Sequence, residues 1–132
     1  MLINLHVKNL ALIDEADVFF DEGLNILTGE TGAGKSILLG SINLALGAKA
    51  SRDILGNHGD YASVELLFQV DASTVSALAA KDIFVTDNQV LISRKFTENR
   101  NIMKINGENV TLATVRDITS LLIDIHGQHE HQ

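Results

Sequence analysis

Apolar and polar residues alternate from the start of the chain. Between Leu2 and Lys8, Ile3, Leu5 and Val7 fall on one side and Asn4, His6 and Lys8 on the other, the two-residue period of a β-strand. Asn9-Leu10 reads as a turn. Ala11 to Phe20 reads as a second strand, in which Ile13 and the run Val18-Phe19-Phe20 bracket an acidic patch of Asp14, Glu15 and Asp17. Asp21-Glu22-Gly23 has the composition of a tight turn. Leu24 to Thr28 is a short apolar stretch of buried-strand character. The period then lengthens: Leu38, Ile42, Ala45 and Leu46 recur at helical spacing over Ser36 to Leu46, and Gly47 is a helix stop.

Ala48 to Tyr61 is polar and contains Gly56 and Gly59, which predicts a long loop with a helical turn near Arg52 to Leu55. Ala62 to Val70 alternates again. Val64, Leu66, Phe68 and Val70 share one face and Ser63, Glu65 and Gln69 the other, as in a half-buried antiparallel strand. Ser73 to Ala80 predicts a short helix with Val75, Leu78 and Ala79 inward. Val90 to Phe96 and Ile102 to Ile105 predict a hairpin joined by Glu98-Asn99-Arg100-Asn101. Asn106-Gly107 is a turn signal, and a short strand ending at Val110 follows it. Thr111 is the expected N-cap of a helix through Leu121, with Leu112, Val115 and Ile118 facing the core, after which Leu122 to Ile125 reads as a buried strand.

One stretch carries chemistry. Gly29-Glu30-Thr31-Gly32-Ala33-Gly34-Lys35-Ser36 matches G-x-x-x-x-G-K-[ST] at every fixed position and lies between a predicted strand and a predicted helix. Its glycines let the backbone curl so that successive N–H groups converge on phosphate oxygens. The helix opening at Gly34 adds unpaired N–H groups and the positive end of its dipole. Lys35 is placed to reach the β- and γ-phosphates, and the Ser36 hydroxyl to bind the Mg²⁺ that bridges them.

Composition narrows the classes. The 132 residues suffice for one domain, and 45% apolar content is ordinary for a globular protein. Without cysteine, this sequence holds neither a disulfide nor a thiolate metal site. The start of the chain lacks signal-peptide character and no apolar run is long enough for a membrane span, so the expectation is a cytoplasmic protein. A formal net charge of −7 argues against nucleic-acid binding by charge alone, though not against a local basic face.

Other residues invite weaker readings. Asp124, after Leu121-Leu122-Ile123, is the one candidate for an acid that holds Mg²⁺ at the end of a second buried strand; its alternative is an ordinary strand residue. Arg94, Lys95, Arg100 and Lys104 cluster on the predicted hairpin, either as contacts to DNA phosphates or as a solvated strand face. Arg52, Arg94 and Arg100 are candidates for an arginine finger, and none is assigned. His126, His129 and His131 could hold a metal or form a polar loop. Asp53-Ile54-Leu55-Gly56 spells D-x-x-G, but no Asn-Lys-x-Asp follows to read guanine.

Two antiparallel strands ahead of the phosphate loop point to an ATPase head of the ABC type. Three stretches carry a closer resemblance. They are Leu5 to Ile13, Leu24 to Ile37 with its Gly-Glu-Thr-Gly-Ala-Gly-Lys-Ser wording, and Ile125-His126-Gly127-Gln128-His129-Glu130-His131-Gln132. Together they resemble the RecN family of bacterial DNA repair proteins, which are SMC-like ATPases. The resemblance in element order spans the chain, with little signal from Asp71 to Asn88.

The resemblance implies an α/β fold: a P-loop NTPase of the ABC/SMC head type, with residues 1–132 as its N-terminal lobe and mixed and antiparallel strands around the phosphate-loop helix. It implies ATP and Mg²⁺ as ligands. The nucleotide contacts would be Gly29, Glu30, Thr31, Gly32, Ala33, Gly34, Lys35, Ser36 and Ile37, with Lys8 and Asn9 near the adenine and ribose. Ser36 and Gln128 would serve the metal, Gln128 from a Q-loop. A coiled coil and a C-terminal lobe would follow, the latter supplying the signature motif, the acidic strand and the catalytic glutamate.

The lobe would then bind nucleotide without hydrolysing it alone. In the full protein two heads would close on ATP and act on DNA in double-strand break repair, in the cytoplasm and on the nucleoid, with no membrane partner. The family tends to carry a basic residue about where this chain has Gly56; Lys49 and Arg52 stand nearby. Two rival readings are a self-contained small P-loop phosphotransferase of kinase type, with Asp124 as its metal acid, and a non-catalytic interaction module.

Overall fold

The structure, a computed structural model, describes residues 1–11, 13–20, 32–50 and 59–123, with the backbone alone at 32–37 and 123. In chain order the elements are β1 (Leu2–Leu10), β2 (Ile13–Phe19), α1 (Gly32–Ala45), β3 (Tyr61–Gln69), α2 (Ala72–Ala79), β4 (Gln89–Thr97), β5 (Asn101–Ile105), β6 (Glu108–Val110) and α3 (Leu112–Ile123). Among the described residues the strands form one six-stranded sheet in the order β2-β1-β3-β4-β5-β6. Every pairing in it is antiparallel. Because β1 lies between β2 and β3, the connection containing α1 crosses over β1.

The two-residue period decides which face is buried. Leu5 and Val7 of β1, Ala62, Val64, Leu66 and Phe68 of β3, and Val90, Ile92 and Phe96 of β4 lie within 4% of full burial. Their cross-strand register stacks them: Leu5 opposes Leu66, and Leu66 opposes Ile92. Each such side chain contributes about 1.5–3 kcal/mol by leaving water. Ile42 and Ala45 of α1, Leu78 of α2, and Val115, Ile118 and Leu122 of α3 complete the same core. The opposite face presents Asn4, His6, Lys8, Tyr61, Ser63, Glu65, Ser93 and Lys95. There His6 of β1 meets Glu15 of β2 at 2.9 Å and Glu65 of β3 at 3.7 Å.

Several expectations are corrected. Leu122 does not begin a strand: α3 continues to Ile123. Val115, Ile118 and Leu122 continue one helical stripe, and neither Gly nor Pro intervenes to end it. The turn expected at Asn9-Leu10 comes later, since β1 runs to Leu10, which pairs with Ile13. Asn9 and Ala11, both at φ 50°, reverse the chain around it. The phosphate-loop helix starts earlier, at Gly32 rather than Ser36 or Gly34. In α2, Thr74 and Leu78 are the buried residues, while Val75 and Ala79 are half-buried. Asn101 belongs to β5, which shortens the hairpin loop to Glu98-Asn99-Arg100.

Other turns and caps match. Asn106 (φ 51°) and Gly107 (φ 86°) form a two-residue hairpin turn of the kind that needs positive φ twice. Thr111 caps α3, its Oγ1 accepting from the Thr114 amide at 3.1 Å. The predicted segments Asp21 to Thr28 and Arg52 to Leu55 lie outside the described residues.

Candidate nucleotide site

Helix α1 runs from within the phosphate-loop motif toward the core. Its 14 residues begin at Gly32, inside the motif, and Lys35 and Ser36 are its fourth and fifth residues. The first N–H groups of a helix have no partner within it and point out of its N-terminus, so this end offers donors and partial positive charge to an anion. Gly32, Ala33 and Gly34 keep the approach free of bulk. A serine hydroxyl and a glutamine amide oxygen, the donors expected from Ser36 and Gln128, are hard donors of the kind Mg²⁺ takes. Gly29, Glu30, Thr31, Asp124, Gln128, the three tail histidines and Arg52 lie outside the described residues, as do the side chains of Lys35, Ser36 and Ile37.

The far end of α1 is closed with unusual thoroughness. Gly47, at φ 107°, reverses the chain. Its N–H donates to the Leu44 carbonyl at 3.1 Å and the Ala48 N–H donates to the Asn43 carbonyl at 3.0 Å. These are the two bonds of a Schellman cap. Two arginines add donors to the carbonyls of this end, one of which, that of Leu44, is already bonded to the Gly47 N–H. Arg94 of β4 donates from Nη1 to Leu44 O at 2.7 Å and Ala48 O at 2.6 Å, and from Nε to Asn101 Oδ1 at 3.0 Å. Arg116 of α3 donates from Nε and Nη2 to Gly47 O at 3.0 and 2.9 Å.

Cations at a helix C-terminus complement its partial negative charge. Arg94 is 1% exposed and lies over the Phe96 ring, 4.9 Å from its centroid. Burial, and then the Arg116 guanidinium, pull its pKa below the ordinary arginine value. Its ring of acceptors keeps it a cation at neutral pH.

This overturns the reading of Arg94 as part of an exposed basic cluster: its guanidinium is buried and committed to the end of α1. Lys95, Arg100 and Lys104 are exposed. Lys95 sits 4.4 Å above the Tyr61 ring centroid, and Lys8 approaches the same ring at 5.6 Å while reaching the Tyr61 hydroxyl at 3.5 Å. Asn9, expected beside the ribose, is 2% exposed and donates to Tyr61 O at 2.9 Å and Gly59 O at 3.3 Å, holding the entry to β3. The structure thus brings Lys8 and Asn9 together with Tyr61 at one end of β1 and β3. Arg116 escaped sequence reading, since an arginine beside a core valine on a helix carries no local mark of its partner.

Comparison with known proteins agrees with this architecture. A family profile described as an AAA domain matches residues 4–131, and the chain belongs to that family. Solved structures share the fold. One is an Smc head bound to the C-winged helix domain of ScpA, with TM-score 0.73 and 19% identity over 92% of this chain and 40% of that one. Another is the recombination mediator RecF, with TM-score 0.62 and 20% identity over 87% and 29%. The fold is therefore that of an SMC-type ATPase head, with an antiparallel sheet.

Sequence similarity is more particular. Over 100% of its length the chain is 39% identical to the DNA repair protein RecN of Bacillus subtilis and 41% identical to that of Halalkalibacterium halodurans. Over 99% it is 37% identical to RecN of Rickettsia conorii. The chain spans 23–24% of the length of these relatives and corresponds to the N-terminal part of RecN.

Proposed function

We propose that the chain is the ATP-binding N-terminal lobe of a RecN-like DNA repair ATPase. One observation carries the reading: the G-x-x-x-x-G-K-S motif runs directly into α1, so that Lys35 and Ser36 are the fourth and fifth residues of a helix anchored at its other end. The residues of the motif, Gly29 to Ser36 with Ile37, hold the nucleotide phosphates through backbone N–H groups and the Lys35 ammonium. Lys8 and Asn9 border the base and ribose. Ser36 and Gln128 hold Mg²⁺, which when bound neutralises charge between the β- and γ-phosphates.

The catalytic base and the signature motif come from a C-terminal lobe and a second head. This lobe alone therefore binds nucleotide without turning it over. Closure of two heads on ATP, and their release after hydrolysis, would gate engagement of DNA in double-strand break repair on the nucleoid. Among the described residues no helix is long and apolar enough to cross a membrane.

The rival reading, a self-contained phosphotransferase, needs an acid at the end of a second buried strand. The residues before Asp124 are helical instead, to Ile123, which removes its support. The test is calorimetric titration of Mg²⁺–ATP into the chain. Binding that Lys35→Ala abolishes supports the proposal. A well-folded chain that takes up no nucleotide, or binds it regardless of Lys35, refutes it.

A further inference from the structure

The outer face of the sheet sorts its charges. Register sets Lys8 of β1 opposite Ser63 of β3, and Ser63 opposite Lys95 of β4. Two residues along β4, Ser93 opposes Lys104 of β5. The residues that alternate with them, Val7, Val64, Arg94 and Met103, are buried, so this set projects away from the core. Lys8, Lys95 and Lys104 are exposed. Two strand spacings put the Lys8 and Lys95 backbones about 10 Å apart, with a serine hydroxyl between them. Lys104 lies on the diagonal from Lys95, at about 7–8 Å.

Tyr61 holds two of these cations without neutralising them. Lys95 Nζ is 4.4 Å and Lys8 Nζ 5.6 Å from its ring centroid. A ring attracts an ammonium through its quadrupole and leaves the charge in place. The carboxylates of the same face are taken up elsewhere: Glu15 and Glu65 flank His6, at 2.9 and 3.7 Å. Among the described residues Lys8, Lys95 and Lys104 form no ion pair, whereas Lys81, on the helical side of the sheet, meets Asp117 at 3.1 Å. Three unpaired cations on one face stand out in a chain of formal net charge −7.

We infer that this face is a contact surface for the phosphodiester backbone of DNA, gripped by Lys95 and Lys104, with Lys8 at its margin and the Ser63 and Ser93 hydroxyls between them. Ammonium and hydroxyl donors position a nucleic-acid backbone, and binding through them follows charge rather than sequence. The cluster read from the hairpin thus loses Arg94 to the core side and gains Lys8 from β1. The inference rests on the DNA engagement proposed for the full protein and is independent of the nucleotide site.

The test is fluorescence-anisotropy titration of the chain onto a labelled DNA duplex, without nucleotide, between about 50 and 200 mM salt. Three phosphate contacts give the logarithm of the binding constant a slope of about −3 against the logarithm of salt concentration. Lys95→Gln with Lys104→Gln should weaken binding at least about tenfold at low salt and bring the slope to about −1. Both side chains are exposed, so neither change reaches the core. Lys95→Arg with Lys104→Arg should bind as the parent does. Lys81→Gln removes a charge from the other side and should change neither affinity nor slope. Lys8 is left in place because it borders the proposed nucleotide site.

Absence of binding at the lowest salt, a glutamine pair that binds like the parent, or an equal loss in Lys81→Gln overturns the inference. Each of those outcomes leaves Lys35-dependent binding of Mg²⁺–ATP standing. Failure of that binding refutes the nucleotide site and leaves the DNA surface in place.

Discussion

The carbonyl oxygen of Gly47 accepts two hydrogen bonds from Arg116, from Nε at 3.0 Å and Nη2 at 2.9 Å, and so joins the last turn of the phosphate-loop helix to α3. The relationship depends on glycine twice over. Its φ of 107° is a conformation that other residues adopt only under strain, and a side chain would collide with the arginine that caps it. Gly47→Ala should therefore destabilise the chain by about 1–3 kcal/mol. Urea unfolding monitored by circular dichroism measures this directly, and an unchanged midpoint would show that the cap relaxes freely.

Arg94 should be more costly to lose. Its truncation strands the Ala48 carbonyl and the Asn101 side-chain oxygen and removes the charge facing the end of α1. Hydrogen bonds to a charged group are worth about 1.5–3 kcal/mol each, so Arg94→Met should cost about 3 kcal/mol or more. That is a large part of the 5–15 kcal/mol typical of a domain. Arg94→Lys keeps the charge but not the fork that serves three acceptors, and should fall between the two. If Arg94→Met unfolds at the wild-type urea concentration, the buried guanidinium is not holding the helix end.

Asp71 gives α2 a pH dependence. Its Oδ1 accepts from the Thr74 amide at 2.9 Å and the Ser73 hydroxyl at 3.1 Å. Hydrogen bonds from Thr74, and then from Ser73, hold its carboxyl below the ordinary value of 3.8. A depressed folded-state pKa contributes stability that is present above the unfolded value and lost as pH falls through the folded one. Asp71→Asn should accordingly be less stable than the parent near neutrality, with the gap closing as pH drops below about 3.8. Thermal unfolding of the two proteins across that range tests the sign. A gap independent of pH would mean that the cap works without its charge.

Strand β3 was legible because its alternation is strict, whereas a register shift in β1 between Leu2 and Asn4 buries Leu2 and leaves Ile3, expected beside Leu5 and Val7, half-buried. Val64, Leu66, Phe68 and Val70 could face only one side, and all are buried. Asn106-Gly107 and Thr111 announced their turn and cap through backbone chemistry that few other residues satisfy. The misreadings have physical causes too. Leu121-Leu122-Ile123 is apolar on every side, so its composition does not separate a buried strand from the end of a helix. Arg94 was grouped with its charged neighbours, although the period from Val90 and Ile92 to Phe96 passes through it and assigns it inward. What sequence alone could not supply was the reason: a set of carbonyls at the end of α1 that makes an inward arginine favourable. Those partners lie at residues 44 and 48, remote in the chain, and only the folded sheet brings them to it.

Catalysis separates the remaining readings. A phosphoryl-transfer enzyme needs an acid that fixes Mg²⁺ and a group that positions the nucleophile, both on rigid elements. In this chain α1 begins within the G-x-x-x-x-G-K-S motif and is anchored at its other end, yet the apolar run ahead of Asp124 is the last turn of α3 rather than a core strand. The chain should therefore bind Mg²⁺–ATP and release it unchanged, with phosphate production at background level in the parent, in Lys35→Ala and in Asp124→Asn alike. A sensitive phosphate-release assay distinguishes the cases. Turnover lost in both variants would make the chain a complete phosphotransferase with Asp124 as its metal acid. Turnover that appears only when the C-terminal part of a RecN-like protein is added would place the missing base and signature motif there, and would identify the anchored helix as the half of the machine that this lobe contributes.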